Sequence, residues 1–316
     1  MARSLEHRDR LAEAGDFSDA AAMDDAPIPY IERTRVYYAA LGFAAPYRWA
    51  EHADVPFQPL AKPLGTSRVA LITTAAPRRP GLDQGPGAPY NGAAKFFAVY
   101  SGDTVREPAL GINHVAIDFR NTTAEDIGSF FPLSALRRAK PRIGSVAPRF
   151  LGVPTNRSQR VTREVYAPEV LTHCRAQGTD AAILVPNCPV CHQSLALVAR
   201  HLEANGIPTV VMGAAKDIVE RAGVPRFLFS DFPLGNAAGR PNDIASQDLT
   251  LNLALDLLEQ ATAPRAYQQS PLRWTGDPDW KRAYGNVEGL SPEEIVRLRA
   301  DFDTQKAAGK TIQAQG

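Results

Sequence analysis

The sequence predicts an α/β protein built on a parallel sheet, and three observations carry that expectation. Between residues 167 and 232, short uninterrupted apolar runs alternate with segments of helical periodicity, the pattern of a right-handed βαβαβ unit. Another strong apolar run, SRVALITTAA at 67–76, stands well upstream of it. At 316 residues the chain can form one large α/β domain or two α/β lobes, with a thiol pair at a strand's carboxyl end.

The elements follow in order. Residues 1–26 are polar, Ala/Asp-rich and aperiodic, and are expected to form a loose arm. A first α/β lobe is expected over 27–160. Within it, Ile31, Val36, Tyr37 and Leu41 recur at roughly helical spacing, with Gly42 as a stop. Pro46, Pro56, Pro59 and Pro63 mark an extended surface stretch. The run at 67–76 reads as a buried strand, and the proline- and glycine-dense residues 77–92 as a loop. Two short apolar runs follow, KFFAVYS at 95–101 and INHVAIDF at 112–119, the second read as a strand. FFPLSALRRA at 130–139 reads as a short helix, and 140–160 as irregular.

A βαβαβ lobe is expected over 161–262. It comprises helix 167–178, strand 180–186, helix 189–206, strand 207–213, helix 214–223 and strand 226–232, with a further helix at 246–262 packed on the sheet. Residues 263–316 then form a loop and a helix started by Ser291, where Ser-Pro-Glu-Glu is an N-terminal signal.

Composition narrows the function. Lys and Arg total 35 against 34 for Asp and Glu, which argues against a nucleic-acid or membrane partner, since either would need a basic excess. The first residues, MARSLEHRDRLAEAGDFSD, lack the apolar core of a signal peptide. No run approaches the ~20 apolar residues of a spanning helix. A cytoplasmic protein is expected. Cys174, Cys188 and Cys191 are too few and too clustered for a disulfide framework; in a reducing compartment such spacing points to redox, metal or nucleophilic chemistry.

The segment ILVPNCPVCHQSLALVARHL carries that chemistry. An apolar strand ends at Pro186, Asn187 turns, Cys188 falls at or beside the helix N-cap, and Pro189 takes the first helical position, where a missing N–H costs nothing. Unpaired amides and the positive end of the helix dipole favour a thiolate there. Cys191 lies one turn on and can release a covalent adduct. His192 could exchange protons with sulfur or substrate. Competing readings are a zinc site completed by His192 or His114, covalent haem at C-x-x-C-H, and two buried core cysteines.

Other residues can contribute to a substrate site. Residues 230–243 (SDFPLGNAAGRPND) follow the third strand of the unit and should rise at the same sheet edge, offering Asp231, Asn236, Arg240, Asn242 and Asp243; the alternative is a surface turn. His114 and Asp118, if in one strand, share a face ~13 Å apart. Thr73 and Thr74 end the first strong strand and are weaker candidates. Cys174 and the tryptophans read as packing. The glycine loop lacks a phosphate-binding pattern.

RVALITT within 67–74, HVAIDF at 114–119, AEDIGSFFPLSALRRA at 124–139, LVPNCPVCHQSLALVARHLEANGIPTV and FPLGNAAGRPND together resemble the B-type subunit family of glycine/sarcosine/betaine reductase and D-proline reductase. The resemblance covers roughly 60–262, and the CPVCHQ segment is its most specific part. It implies that Cys188 stands where the family carries selenocysteine, as a cysteine-containing member, with Cys191 as partner and His192 and Gln193 matching. A thiolate is the poorer nucleophile and leaving group of the two. The resemblance also implies a pyruvoyl group on a separate partner subunit, with nothing intrinsic in this chain supplying it.

Two functions are therefore expected. The first is a thiol-dependent reductase in which Cys188 attacks an activated C–N or C–heteroatom carbon and Cys191 resolves the adduct, helped by a partner subunit and a dithiol reductant. The substrate would be a small molecule held by residues drawn from His114, Asp118, Asn187, Gln193, Asp231, Asn236 and Asn242, and a homo-oligomer is expected. The alternative is a self-contained desulfhydrase or hydrolase acting on a thiocarbonyl ring compound, with a divalent metal as an aid. A metal-storing binding protein is the third reading.

Overall fold

The computed structural model describes residues 26–43, 45–78, 98–112, 116–155, 157–287 and 290–314. Residues 1–25 of the arm expected at 1–26, residues 79–92 of the Pro/Gly loop, residues 93–97 and His114 lie outside the described residues.

The strands are β1 Arg68–Thr73, β2 Ala76–Pro77, β3 Tyr100–Asp103, β4 Leu110–Gly111, β5 Ser145–Val146, β6 Arg149–Gly152, β7 Ala181–Val185, β8 Thr209–Gly213, β9 Arg226–Phe229 and β10 Ala266–Gln269. An eight-stranded sheet runs β10-β9-β8-β7-β1-β6-β3, with β5 also paired to β1. All pairings in it are parallel except β3 with β6. The α/β class and parallel βαβ architecture expected from the alternation are therefore present. The sheet crosses the boundary expected at residue 160, because β1 lies directly beside β7, with Val69 opposite Ala181 and Thr73 opposite Val185.

The centre of the sheet is buried on both faces. All five residues of β7, AAILV, are buried, as are all five of β8. Continuous apolar runs rather than alternation are what strands covered by helices on both sides require. Each large side chain so buried contributes roughly 1.5–3 kcal/mol. Helix α1 Tyr30–Ala40 packs on α5, and the covering helices are α2 Leu133–Arg138, α3 Ala167–Ala176, α4 Pro189–Ala204, α5 Lys216–Ala222 and α6 Ile244–Gln260. Two apolar clusters divide the sheet's faces: one holds Leu71, Ile183, Val210 and Leu255, the other Ala70, Leu184, Val198 and Val211. Alternation within β1, β7 and β8 sends successive residues to opposite clusters.

Three expectations need correction. Residues 140–160 are not wholly irregular: β5 and β6 lie there and pair with β1. They escape a sequence reading because each is short and flanked by Pro and Gly. Residues 116–121 form turns rather than a strand, with Asn121 and Thr122 amides donating back to the Asp118 carbonyl. The tail also adds a strand, β10, beside β9. The remaining helices are α7 Trp280–Ala283 and α8 Pro292–Ala314. The latter opens on a reciprocal cap: the Glu294 amide donates to Ser291 Oγ at 3.2 Å, and the Ser291 amide to Glu294 Oε2 at 2.9 Å. Among the described residues, no helix is long and apolar enough to cross a membrane.

Candidate functional site at the strand–helix thiol pair

Because β1, β7, β8, β9 and β10 run parallel, Thr74, Asn187, Ala214, Ser230 and Ser270 all emerge at one sheet edge. Open α/β sheets place their ligands at this edge. Cys188 sits there as the N-cap of α4, in extended conformation (φ −122°, ψ 170°), with Pro189 at the first helical position. Its Sγ accepts the Cys191 backbone N–H at 3.2 Å, which satisfies one of the helix's open amides. Cys188 and Cys191 are joined as a disulfide, with Cα atoms 4.8 Å apart. Both residues are 0% exposed. Cys174 remains a buried free thiol in the packing of α3, and burial pushes it up to about 12.

The residues around the pair are held by backbone contacts. His192 Nδ1 lies 2.7 Å from the Cys188 carbonyl oxygen, and Nε2 accepts the Ala214 and Ala215 amides at 2.9 and 3.2 Å. Those contacts define the neutral tautomer with the proton on Nδ1. Burial lowers its pKa to about 4, partly opposed by the Cys188 carbonyl. Neither ring nitrogen is left over to carry a proton to sulfur in this arrangement. His192 instead ties the first turn of α4 to the end of β8.

Gln193 is likewise occupied. Its Oε1 accepts the Ala50 amide at 2.7 Å, and its Nε2 donates to Tyr47 Oη. Gln159 donates to the same Oε1 at 3.4 Å and to the Arg48 carbonyl at 2.7 Å. Gln159 opens the helical segment Gln159–Val161, which passes through a π-turn at Thr162–Tyr166 into α3. The stretch 47–50 is thereby strapped to the thiol helix. Tyr47 and Gln159 carried no signal in the sequence, since each meets Gln193 only across a long separation.

Asn187 is 0% exposed. Its backbone N–H and its Nδ2 both donate to Thr74 Oγ1, at 3.1 and 3.4 Å, joining the ends of β7 and β1. Its Oδ1 is buried and has no hydrogen-bond partner among the described residues. The weaker candidate Thr74 is thus the residue that orients Asn187, while Thr73 Oγ1 accepts the Ala75 amide at 3.0 Å.

The other candidates scatter. Asp231 follows β9, two strands or about 10 Å across the sheet from Cys188, and pairs with Lys281. Together with Trp274, Trp280 and Arg273 these two line a cavity of about 280 Å³. Asp118 accepts from Asn121 Nδ2 at 2.9 Å, and burial raises its pKa. Asp118, Asp231 and Asp217 all act on the buried Tyr30 phenol, whose pKa rises mainly through burial. Asn236 is buried and turned inward, donating to the Pro233 carbonyl at 3.2 Å and accepting from Thr122 at 3.2 Å. Asn242 is exposed with φ 58°, its amide donating to Asp126 at 2.6 Å. Arg240 Nε donates to the Arg273 carbonyl at 2.9 Å, and Asp243 caps α6 through the Ser246 amide at 3.0 Å. The 230–243 loop is therefore largely occupied in holding its own turns. Among the described residues, no three of His, Cys, Asp and Glu are grouped as a metal-holding set.

No family model matches the chain, and no solved structure matches it. The chain is 30% identical over 189 residues to the D-proline reductase subunit gamma of Acetoanaerobium sticklandii, a match covering 58% of this chain and 75% of the relative. A strand–Cys-x-x-Cys–helix junction at the ligand edge of a parallel sheet, in a chain so related, has one reading: the chain belongs to the proline/glycine reductase family.

Proposed function

We propose that this chain is a thiol-dependent reductase subunit, with Cys188 as nucleophile and Cys191 as resolving thiol. The observation that supports it is the position of Cys188 as N-cap of the 16-residue α4, bonded to Cys191 one turn away. In the reduced pair, the Cys191 amide and the helix dipole favour a thiolate at Cys188. That thiolate attacks an activated carbon; the S–C bond forms as the C–N (or other C–heteroatom) bond breaks, and the leaving group departs with the electron pair and takes a proton. Cys191 thiolate then attacks the Cys188 sulfur. The S–S bond forms, the S–C bond breaks, and the carbon leaves with its electron pair and is protonated. The substrate gains two electrons, the pair becomes a disulfide, and an external dithiol restores it, in keeping with a cytoplasmic setting.

His192 and Gln193 serve as positioning residues in this reading, one bracing the first turn to β8 and the other strapping it to 47–50. The relative is named as a subunit, which supports a partner subunit here as well. The pyruvoyl group that the resemblance implies would arrive on such a partner, and no step above passes through it.

The test is thiol titration against pH on reduced wild type, Cys188→Ser and Cys191→Ser, with metal content measured on the same samples. A thiol titrating well below the ordinary ~8.5, present in wild type and lost in Cys188→Ser, is expected. Two unreactive thiols with one metal ion bound per chain would sink the proposal.

A further inference from the structure

We propose that Asn187 Oδ1 recognises an N–H of the substrate beside the carbon that Cys188 attacks, so that the site selects nitrogen-bearing electrophiles with a free N–H. The inference rests on the reading of Cys188 as nucleophile and adds to it the group that selects the substrate.

Asn187 is covalently next to the N-cap sulfur and buried at the ligand edge of the sheet. Thr74 Oγ1 accepts both the backbone N–H and one N–H of Nδ2. The side-chain amide is therefore anchored between the ends of β1 and β7, with Nδ2 turned toward Thr74. The acceptor side, Oδ1, is buried and unpartnered among the described residues. A buried acceptor without a donor is costly to fold around, and a carbonyl oxygen can accept only from N–H or O–H. The reaction proposed for Cys188 acts on a carbon close to nitrogen, and a free N–H on a nitrogen within one or two bonds of that carbon is the donor such an acceptor fits. Sites of this kind discriminate strongly, because an analogue lacking the donor leaves the buried oxygen unpaired. Gln193, by contrast, has its amide engaged on both sides and is left out of recognition.

The experiment compares two alkylating probes on the reduced full chain: 2-iodoacetamide, which carries N–H, and N,N-dimethyl-2-iodoacetamide, which does not. In each, the S–C bond forms as C–I breaks and iodide leaves. Alkylation of Cys188 is followed by peptide mass spectrometry, and each rate is divided by that of glutathione with the same probe. The normalised preference for the N–H probe is expected to be about 3–10-fold lower in Asn187→Leu than in wild type, the span of one hydrogen bond. Leucine keeps the branching of asparagine at Cγ without an acceptor, and Thr74→Val, which adds no bulk at residue 187, controls for its larger methyl groups. Thr74→Val keeps Asn187 but removes its anchor, and should lower the preference as well; it serves if Asn187→Leu does not fold. An unchanged preference in the folded variants overturns the assignment of Asn187 while leaving Cys188 as nucleophile. Failure of both probes to label Cys188 in wild type overturns the nucleophile reading, and the inference with it.

Discussion

The His192 ring accepts the backbone amide of Ala214 through Nε2 at 2.9 Å, so a side chain on the first turn of α4 closes the end of a neighbouring strand. A nitrogen that accepts from two amides cannot also hold a proton. Its pKa of about 4 in the fold, against 6.5 for the free group, makes the unfolded chain the better proton binder between those values. Stability contributed by neutral His192 is thus full above pH 6.5 and lost as pH falls toward 4, by up to about 3 kcal/mol. Denaturant unfolding of wild type and His192→Gln across pH 4 to 7 should show a difference that shrinks on acidification. A difference that grows on acidification would contradict the neutral tautomer.

Gly213 ends β8 against that same ring. A Cβ there would lie 2.9 Å from His192 Cδ2 and 3.1 Å from Nε2. The ring is held on both sides and cannot swing away cheaply. Gly213→Ala should cost about 1–3 kcal/mol, the range for overpacking, and should reduce turnover more than a surface substitution of equal stability cost. Thermal denaturation paired with single-turnover kinetics separates the two effects.

Gln193→Leu removes the acceptor of the Ala50 amide and the partner of Tyr47. The orphaned, buried Ala50 N–H should cost about 1–3 kcal/mol. Hydrogen exchange is expected to rise across 47–50 while β7 and β8 stay protected. Uniform loss of protection would mean instead that the strap is integral to the global fold.

At the opposite edge of the sheet, Glu203 and Arg226 form a fully buried pair at 2.8 Å. Glu203 also takes the amides of Thr209 and Gln58, and the Arg226 guanidinium stacks 4.3 Å over Phe57. Burial pushes the Glu203 carboxyl up to about 7, against the pull of Arg226. Removing one partner strands the other, so Glu203→Leu should destabilise by about 3–5 kcal/mol. The double variant Glu203→Leu/Arg226→Leu should recover part of that loss. A double variant no better than the single would show that the remaining hydrogen bonds, not the charge, set the cost.

The local pattern of the chain was sufficient for much of this. Continuous apolar runs at 181–185 and 209–213 need cover on both faces, and the periodic stretches between them supply it, so the parallel sheet was legible. So was Cys188 as an N-cap, because Asn-Cys-Pro between a strand and a helix leaves the sulfur few other places. The Ser291 start signal was legible for the same local reason. Strands β5, β6 and β10 were not, being too short to show a period; only pairing with β1 and β9 makes them strands. The 112–119 run looked like a strand by composition, but its described part at 116–119 folds as turns, the Phe119 amide donating to the Ile117 carbonyl instead of to a neighbouring strand.

What only the tertiary structure decided is what each side chain near the sulfurs is free to do. His192 read as a proton-exchanging neighbour of the thiol pair and Gln193 as a substrate-binding residue, yet the amides of Ala214, Ala215 and Ala50 occupy them. Asn187 read as a turn residue, yet Thr74, 113 positions away, accepts from both its nitrogens and leaves its oxygen over. Hydrogen-bond donors and acceptors are assigned by whichever partners the fold brings within about 3 Å, and no local pattern encodes partners that distant in the chain.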